Sequence, residues 1–161
     1  MEEWAAAPVP AKIALAALGV SLAVSVLTDF RERRILNAVT YPALLLVTVC
    51  MLWLGGGALL LEAGFGALVC AGPLALAMWR GWMGAGDVKL MALVGLVAGA
   101  IGGWAFSLTV LVLVAIAGGV QSLLWIGAAK LRRHAPPRSI PYALAIAAGT
   151  TWAFFSGIAL F

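Results

Sequence analysis

The sequence predicts an all-α, polytopic membrane protein with six transmembrane helices. Its 161 residues are 65% hydrophobic and only 10% charged, and the mean hydropathy is +1.11. A soluble domain of this size does not need so much apolar sequence, because it buries only about two thirds of its surface. The charged residues stand in short clusters with long uncharged runs between them, which is typical of membrane spans. We expect one integral-membrane domain over residues 1–161.

The uncharged runs give the positions of the predicted helices. The longest run, residues 90–129, is twice the length of a membrane-spanning helix of about 20 residues. It must therefore fold back once, and Gly102-Gly103 is the natural place for the turn. Another break falls at Gly55-Gly56-Gly57. The predicted spans are residues 13–28, 38–54, 58–79, the two halves of 90–129, and 139–161.

The basic residues predict the orientation of these spans. Nine of the ten Lys and Arg residues fall near residues 30–37, 80–89 and 130–140, and only Lys12 lies elsewhere. With alternating spans these three loops share one side, which the positive-inside rule makes cytoplasmic. We expect a multi-pass protein of the inner (cytoplasmic) membrane with both termini outside. The basic residues behind the net charge of +4 then set the orientation of the chain in the lipid bilayer. No nucleic acid partner is expected.

The chain has only two aspartates, and both fall at helix ends on the predicted cytoplasmic side. Asp29 ends the first apolar run, and Asp87 follows a glycine-rich turn at residues 84–86. Ionisable residues at membrane depth are costly and hence candidates for function. Taken singly, Asp29 could lie in the headgroup region, and Asp87 could cap a helix that begins at Val88.

The two aspartates together favour a shared site. Two carboxylates brought close cannot both ionise cheaply, so one keeps its proton while the other stays charged. The charged carboxylate can take a proton from water and the neutral one can donate to a carbonyl oxygen. This is the chemistry of aspartyl peptide hydrolysis, which needs neither a metal nor a covalent intermediate.

Three neighbours of Asp87 are candidate substrate-binding residues. Gly84 and Gly86 lack a Cβ, so they could adopt positive φ and let an extended substrate backbone approach. The alternative is a merely flexible turn. Lys89 is interpreted first as an anchor that reaches the membrane surface, and second as a charge that tunes the site or meets the substrate.

No cofactor or metal is expected. The chain has a single histidine, His134, and two isolated cysteines, Cys50 and Cys70. A zinc site needs more ligands at closer spacing. No serine stands in a G-x-S-x-G sequence, so a serine nucleophile of that kind is not indicated.

Three segments resemble those of the type IV prepilin peptidases. Residues 84–90, GAGDVKL, resemble the GxGD signature of that family; residues 29–37, DFRERRILN, resemble its first aspartate segment; and Pro141-Tyr142 resembles its Pro-Tyr element at the last helix. The resemblance implies an intramembrane aspartyl endopeptidase that removes the short basic leader of prepilin-like precursors. It implies that Asp29 and Asp87 are the catalytic pair.

One departure from the larger members of that family concerns the first loop. Those members carry a cytoplasmic insert with paired CxxC motifs that is linked to methylation of the trimmed pilin, and no cysteine lies in this loop. We therefore predict that methyltransferase activity is absent. Without the insert, this chain resembles the small peptidases of tight-adherence (Flp-type) pilus systems. Two other functions stay open: a proton-coupled transporter that uses the aspartates as a relay, and a non-catalytic membrane component of a pilus or secretion assembly.

Overall fold

The computed structural model describes residues 7–131 and 141–156, and these residues form helices without any strand. The all-α prediction is confirmed. The helices are α1, Val9–Glu32; α2, Asn37–Trp79; α3, Ala85–Leu131; and α4, Ala143–Ser156. The first three contain 24, 43 and 47 residues and are long and apolar enough to cross a membrane, whereas α4 is apolar but shorter. The predictions for His134, for the last basic loop and for the two chain ends lie outside the described residues.

The predicted count of six separate helices is not supported, because the described residues form four. Both glycine breaks occur at the predicted positions but do not end their helices. Gly55 and Gly56 leave the helical conformation (φ −146°, ψ 15° and φ 62°, ψ −151°). Gly102 and Gly103 adopt nearly the same non-helical angles (φ −140°, ψ 21° and φ 64°, ψ −157°). One glycine with positive φ suffices to redirect the backbone. We call the segments on either side α2a (residues 37–54) and α2b (57–79), α3a (85–101) and α3b (104–131).

The break in α3 reverses the direction of the chain. A Cβ built on Gly66 of α2b would lie 2.5 Å from the carbonyl oxygen of Gly95 and 2.6 Å from Oγ of Ser107. On a straight helix these two α3 residues would be about 18 Å apart along the axis. Because both meet the same point of α2b, α3b must fold back beside α3a.

The break in α2 has the same effect. At one end of α3a, Lys89 Nζ lies 2.9 Å from Oδ1 of Asn37, the first residue of α2a. At the other end, Ile101 shares a small cavity with Leu54 and Leu59, which flank the break in α2. The segment α3a thus runs parallel to α2a, while α2b returns along it in the opposite direction.

A glycine seam lets α2b and α3a approach backbone to backbone. A Cβ on Gly95 would lie 2.5 Å from the Gly66 carbonyl oxygen, and a Cβ on Gly99 would lie 2.6 Å from the Glu62 carbonyl oxygen. Small residues at helix contacts are the usual means of close packing in lipid. Beside the seam, Cys70 Sγ donates to the Ser107 carbonyl oxygen at 3.3 Å. The seam therefore fixes the two segments at a spacing that any larger side chain would prevent.

The middle of the bundle is α3a. It is buried almost all round from residue 90 to residue 99, as expected for a helix that other helices enclose. Helix α4 runs antiparallel to α3b: Tyr142 packs on Gly118, and Phe154 packs on Phe106 with ring centroids 5.3 Å apart. This arrangement brings the end of α1 and the starts of α2, α3 and α4 to one end of the molecule.

Candidate active site

A cleft of about 500 Å³ lies at the end of the bundle where these helix termini meet. All five residues singled out by the sequence line it: Asp29, Gly84, Gly86, Asp87 and Lys89. The rest of its lining comes from the α1–α2 connection and the start of α3: Arg33, Arg34, Ile35, Leu36, Asn37 and Ala85. The fold thus brings together residues that are 58 positions apart in the chain (29 and 87).

Asp29 lies in the last turns of α1 and is only 9% exposed. Its Oδ2 accepts a hydrogen bond of 3.1 Å from the backbone N–H of Ala143, the first residue of α4. A carboxylate near the C-terminus of its own helix is poorly placed for that helix's dipole, but the N-terminus of α4 offers unpaired N–H groups and partial positive charge. The docking of α4 therefore compensates for the position of Asp29 in α1.

Asp87 is the third residue of α3, which begins at Ala85 and not at Val88 as the sequence suggested. Its carboxylate hydrogen-bonds the backbone of Gly84, the residue before the helix, and also interacts electrostatically with Asp29. A third-position side chain that reaches back to the residue before a helix forms half of a capping box. Asp87 therefore caps α3 and at the same time faces Asp29 across the cleft.

The glycines at positions 84 and 86 lie close to their neighbours. Among the described glycines only Gly56, Gly81 and Gly103 have positive φ, so Gly84 and Gly86 do not use the positive φ that glycine allows. A Cβ on Gly86 would lie 2.7 Å from Cβ of Ile35, and one on Gly84 would lie 3.2 Å from Asp87 Oδ2. These glycines let the chain pack tightly around Asp87. Their pairing with a substrate backbone stays a prediction.

Lys89 lines the cleft, where two side chains of α2a hold its ammonium group. Its Nζ donates to Oδ1 of Asn37 at 2.9 Å and lies 4.6 Å from the centroid of the Tyr41 ring. Both partners are uncharged, so they fix the position of the ammonium without pairing it with an opposite charge. No motif in the sequence marks Tyr41. It sits one turn beyond Asn37 in α2a, a spacing that places both side chains on one helix face.

The α1–α2 connection brings two further cations to the cleft. Arg33 ends α1 in the left-handed conformation, with φ 53°, and its N–H donates to the carbonyl oxygen of Asp29 at 3.1 Å. Arg33 and Arg34 both line the cleft. In the sequence these arginines indicate only topology, since nothing in a basic cluster shows which of its members turn toward a site.

Tyr142 connects the last helix to the carboxylates. Its ring lies against Gly118 of α3b, and its backbone immediately precedes the N–H that binds Asp29. Burial, together with the nearby charge of Asp87, raises the pKa of the Tyr142 phenol above its ordinary value, because both disfavour the phenolate. Tyr142 was noted in the sequence only as part of a motif.

Within residues 7–131 and 141–156, no group of three or more His, Cys, Asp or Glu side chains is arranged to hold a metal ion. Cys50 and Cys70 are both buried, and neither forms a disulfide. Among these residues, the chemistry that the cleft offers is that of two interacting carboxylates and neighbouring cations.

The fold and the cleft define a class: an α-helical protein with membrane-length apolar helices and a paired-aspartate site at one end of the bundle. A family model described as the type IV leader peptidase family matches residues 16–123, more than half of the chain, and the chain belongs to this family. The matched stretch contains Asp29 and Asp87, while Tyr142 and Ala143 lie beyond it. A search of curated proteins and a search of solved structures found no match.

Proposed function

We propose that the protein is an intramembrane aspartic endopeptidase that removes the short basic leader of prepilin-like precursors at the cytoplasmic face of the inner membrane. The observation that carries this proposal is the pairing of Asp29 and Asp87. They come from different helices, line one cleft and interact electrostatically. Membership of the leader peptidase family supports a leader peptide as the substrate.

The proposed reaction uses the two carboxylates as base and acid. The ionised carboxylate takes a proton from water, whose oxygen bonds to the carbonyl carbon of the scissile peptide, while the protonated carboxyl gives its proton to the carbonyl oxygen. Collapse of the tetrahedral intermediate breaks the C–N bond: the leaving nitrogen takes the proton that came from water, and one hydroxyl of the intermediate returns its proton to the other carboxylate as the new C=O forms. No cofactor enters these steps, and either aspartate can take either role.

Backbone donors and a fixed cation assist this chemistry in our proposal. The Ala143 N–H stabilises charge on Asp29, and the Gly84 backbone does the same for Asp87, which leaves the other carboxylate oxygens for water and substrate. Lys89 is a preorganised positive group beside the scissile bond, where it would bind a substrate oxygen. Gly84 and Gly86, which let the chain pack closely around Asp87, would pair with the extended substrate backbone in this proposal.

We propose that each of the two broken helices crosses the membrane twice, which gives six crossings with both termini outside. Unbroken helices of 43 and 47 residues would be about 65–70 Å long, roughly twice the hydrocarbon thickness. The reversals at the glycine breaks and the basic residues near the cleft support this topology. The apolar part of a precursor would then lie in the membrane and present its cleavage site at the depth of the aspartates.

The proposal includes the absence of methyltransferase activity and of a metal requirement. The connection between α1 and α2 covers only residues 33–36 and contains no cysteine. We therefore expect no binding of S-adenosylmethionine, and cleavage that persists in strong chelators.

The test is cleavage of a purified prepilin by the purified full chain in liposomes. We expect the precursor to become shorter by its leader, with and without chelator. A protein that binds prepilin without cutting it would be a scaffold, and one that moves protons across the liposome without cutting would be a transporter. Loss of cleavage in chelator that zinc restores would contradict the two-carboxylate mechanism.

A further inference from the structure

A short turn at residues 141–143, which we call the 141–143 turn, is held from two sides before it reaches Asp29. Gln121 of α3b donates from Nε2 to the Pro141 carbonyl oxygen at 2.7 Å. At the end of the turn, the N–H of Ala143 donates to Asp29 at 3.1 Å. Gln121 and Ala143 are absent from the lining of the cleft, so this connection reaches Asp29 from behind.

Burial of the polar Gln121 side chain has a free-energy cost at this position. Gln121 is 8% exposed on a mostly apolar helix, and a buried amide is costly unless it is hydrogen-bonded. A carbonyl oxygen can only accept, so the Gln121 atom that faces Pro141 must be the amide nitrogen. Among the described residues, its Oε1 has no hydrogen-bond partner. Its one bond to the 141–143 turn is therefore what this side chain contributes.

The geometry of the turn lets the hydrogen bond from Gln121 to Pro141 influence the position of the Ala143 N–H. The proline ring fixes φ of Pro141 near −65°, so a hydrogen bond to its carbonyl oxygen fixes the peptide plane that follows. Only Tyr142 separates that plane from the N–H of Ala143. We propose that Gln121 is a positioning residue, which holds the 141–143 turn so that Ala143 presents its N–H to Asp29. This inference rests on the proposed function, in which Asp29 is catalytic.

A second contact holds the same turn from the same face of α3b. A Cβ on Gly118 would lie 2.6 Å from Cε2 and 2.8 Å from the hydroxyl oxygen of Tyr142. Gly118 and Gln121 are three residues apart, a spacing that places them on one face of the helix. The missing Cβ at Gly118 gives room for the Tyr142 ring while Gln121 binds the adjacent carbonyl.

The first test compares Gln121→Met with Ser107→Ala in cleavage of a purified prepilin by the full chain. Methionine has nearly the shape of glutamine but no donor, so we expect kcat to fall roughly ten- to hundred-fold, as misplacement by about 1 Å does. KM should stay within about two-fold, since the cleft lining is untouched. Ser107 is a buried residue of the same helix whose hydroxyl donates to the Gly103 carbonyl oxygen, and it does not line the cleft. Its variant should keep the wild-type kcat per folded molecule.

The second test approaches the turn without removing a hydrogen bond. Gly118→Ala should displace Tyr142 and lower kcat, whereas Gly119→Ala should leave kcat unchanged, because nothing lies within 4 Å of a Cβ at Gly119. Since both sites act on one turn, Gly118→Ala combined with Gln121→Met should cost less than the product of the separate losses. This pair also decides the matter if Gln121→Met fails to accumulate.

Two results would overturn the inference while leaving the proposed function in place. One is a wild-type kcat in Gln121→Met, or in Gly118→Ala where the methionine variant does not accumulate, while Asp29→Asn is inactive. The other is a loss that affects only the amount of folded protein, which would make Gln121 a purely structural residue. If instead the wild-type chain does not cut prepilin, or Asp29→Asn still cuts it, the proposed function fails and this inference fails with it.

Discussion

The backbone N–H of Ala143 donates to Oδ2 of Asp29 across 3.1 Å, although the two residues are 114 positions apart. The second carboxylate of the cleft has a matching arrangement, since Asp87 is bonded by the backbone of Gly84 at the start of α3. Each carboxylate therefore lies against the N-terminus of a helix, α4 for Asp29 and α3 for Asp87, where partial positive charge favours an anion. The pair is supported by backbone groups, which a substitution other than proline does not remove directly.

The first prediction concerns the two aspartates. Asp29→Asn and Asp87→Asn should each abolish prepilin cleavage, and the double variant should be no worse than either, because residues that act as a unit are not additive. Asparagine keeps the shape and removes the titrating proton. The measurement is cleavage per folded molecule, since loss of a helix cap alone would cost only about 1 kcal/mol of stability.

Glu32→Gln is the matched control for that experiment. Glu32 is an exposed carboxylate at the end of α1 and does not line the cleft, so its variant should cut normally. An Asp29→Asn or Asp87→Asn protein that accumulates normally and still cleaves would contradict the mechanism.

The second prediction concerns the cation in the cleft. Lys89→Ala should weaken cleavage without abolishing it, because in the proposed mechanism Lys89 assists binding and takes no proton from water. Asn37→Ala should weaken it less, and adding it to Lys89→Ala should change little, since Asn37 acts through Lys89 Nζ at 2.9 Å. The measurement is kcat/KM in the four proteins of this cycle. Fully independent losses would show that Asn37 has another role, and Lys130→Ala, outside the cleft lining, serves as the control.

The third prediction concerns stability at the glycine seam. Gly66→Ala should destabilise the fold by about 1–3 kcal/mol or more, because its Cβ would lie 2.5–2.6 Å from Gly95 O and Gly99 Cα, which are backbone atoms that cannot rotate away. Gly64→Ala is the control, since nothing lies within 4 Å of a Cβ there, and alanine favours the helix. Thermal unfolding in detergent should show a lower Tm for Gly66→Ala only. Equal Tm values would mean that the seam is wider than described.

The fourth prediction concerns ionisation of Tyr142. Burial and the charge of Asp87 raise the pKa of its phenol, so the neutral form stabilises the fold below the ordinary value of about 10. That contribution is lost as the pH rises through the raised pKa. A titration of tyrosinate absorbance should show a late phase that Tyr142→Phe removes and that Asp87→Asn moves to lower pH. A midpoint unaffected by Asp87→Asn would show that burial alone causes the shift.

The fifth prediction concerns topology. Reporters fused near residues 33 and 134 should report the cytoplasm, and fusions at either terminus should report the outside, because nine of ten Lys and Arg residues fall in three loops of one side. A periplasmic signal near residue 134 would contradict the six-crossing proposal.

Much of the fold was predictable because its signals are local. Composition indicates apolar helices, and paired glycines mark the breaks at Gly55-Gly56 and Gly102-Gly103. The sequence could not show that these breaks interrupt each helix for only two residues, since that depends on backbone angles. The pairing of Asp29 with Asp87 was inferable from topology, because loops that share one side bring their residues together.

The supporting residues of the site were not predictable from the sequence. Position 86 requires glycine because Ile35 lies against it, and Asp29 is buried because α4 docks on it. Both facts depend on contacts between distant segments, which leave no periodic pattern in the chain. Gln121 gave a weak signal as a polar residue in an apolar helix, but its partner at Pro141 lies in a separate segment.

The hydrogen bond from Ala143 to Asp29 also has a consequence for the order of synthesis. A ribosome that has made residues 1–131 has already produced both aspartates, the glycine seam and every residue that lines the cleft. The donor to Asp29 arrives only with α4. A nascent chain therefore holds Asp29 without this donor until α4 has docked, and in the proposed function cleavage would wait for that step.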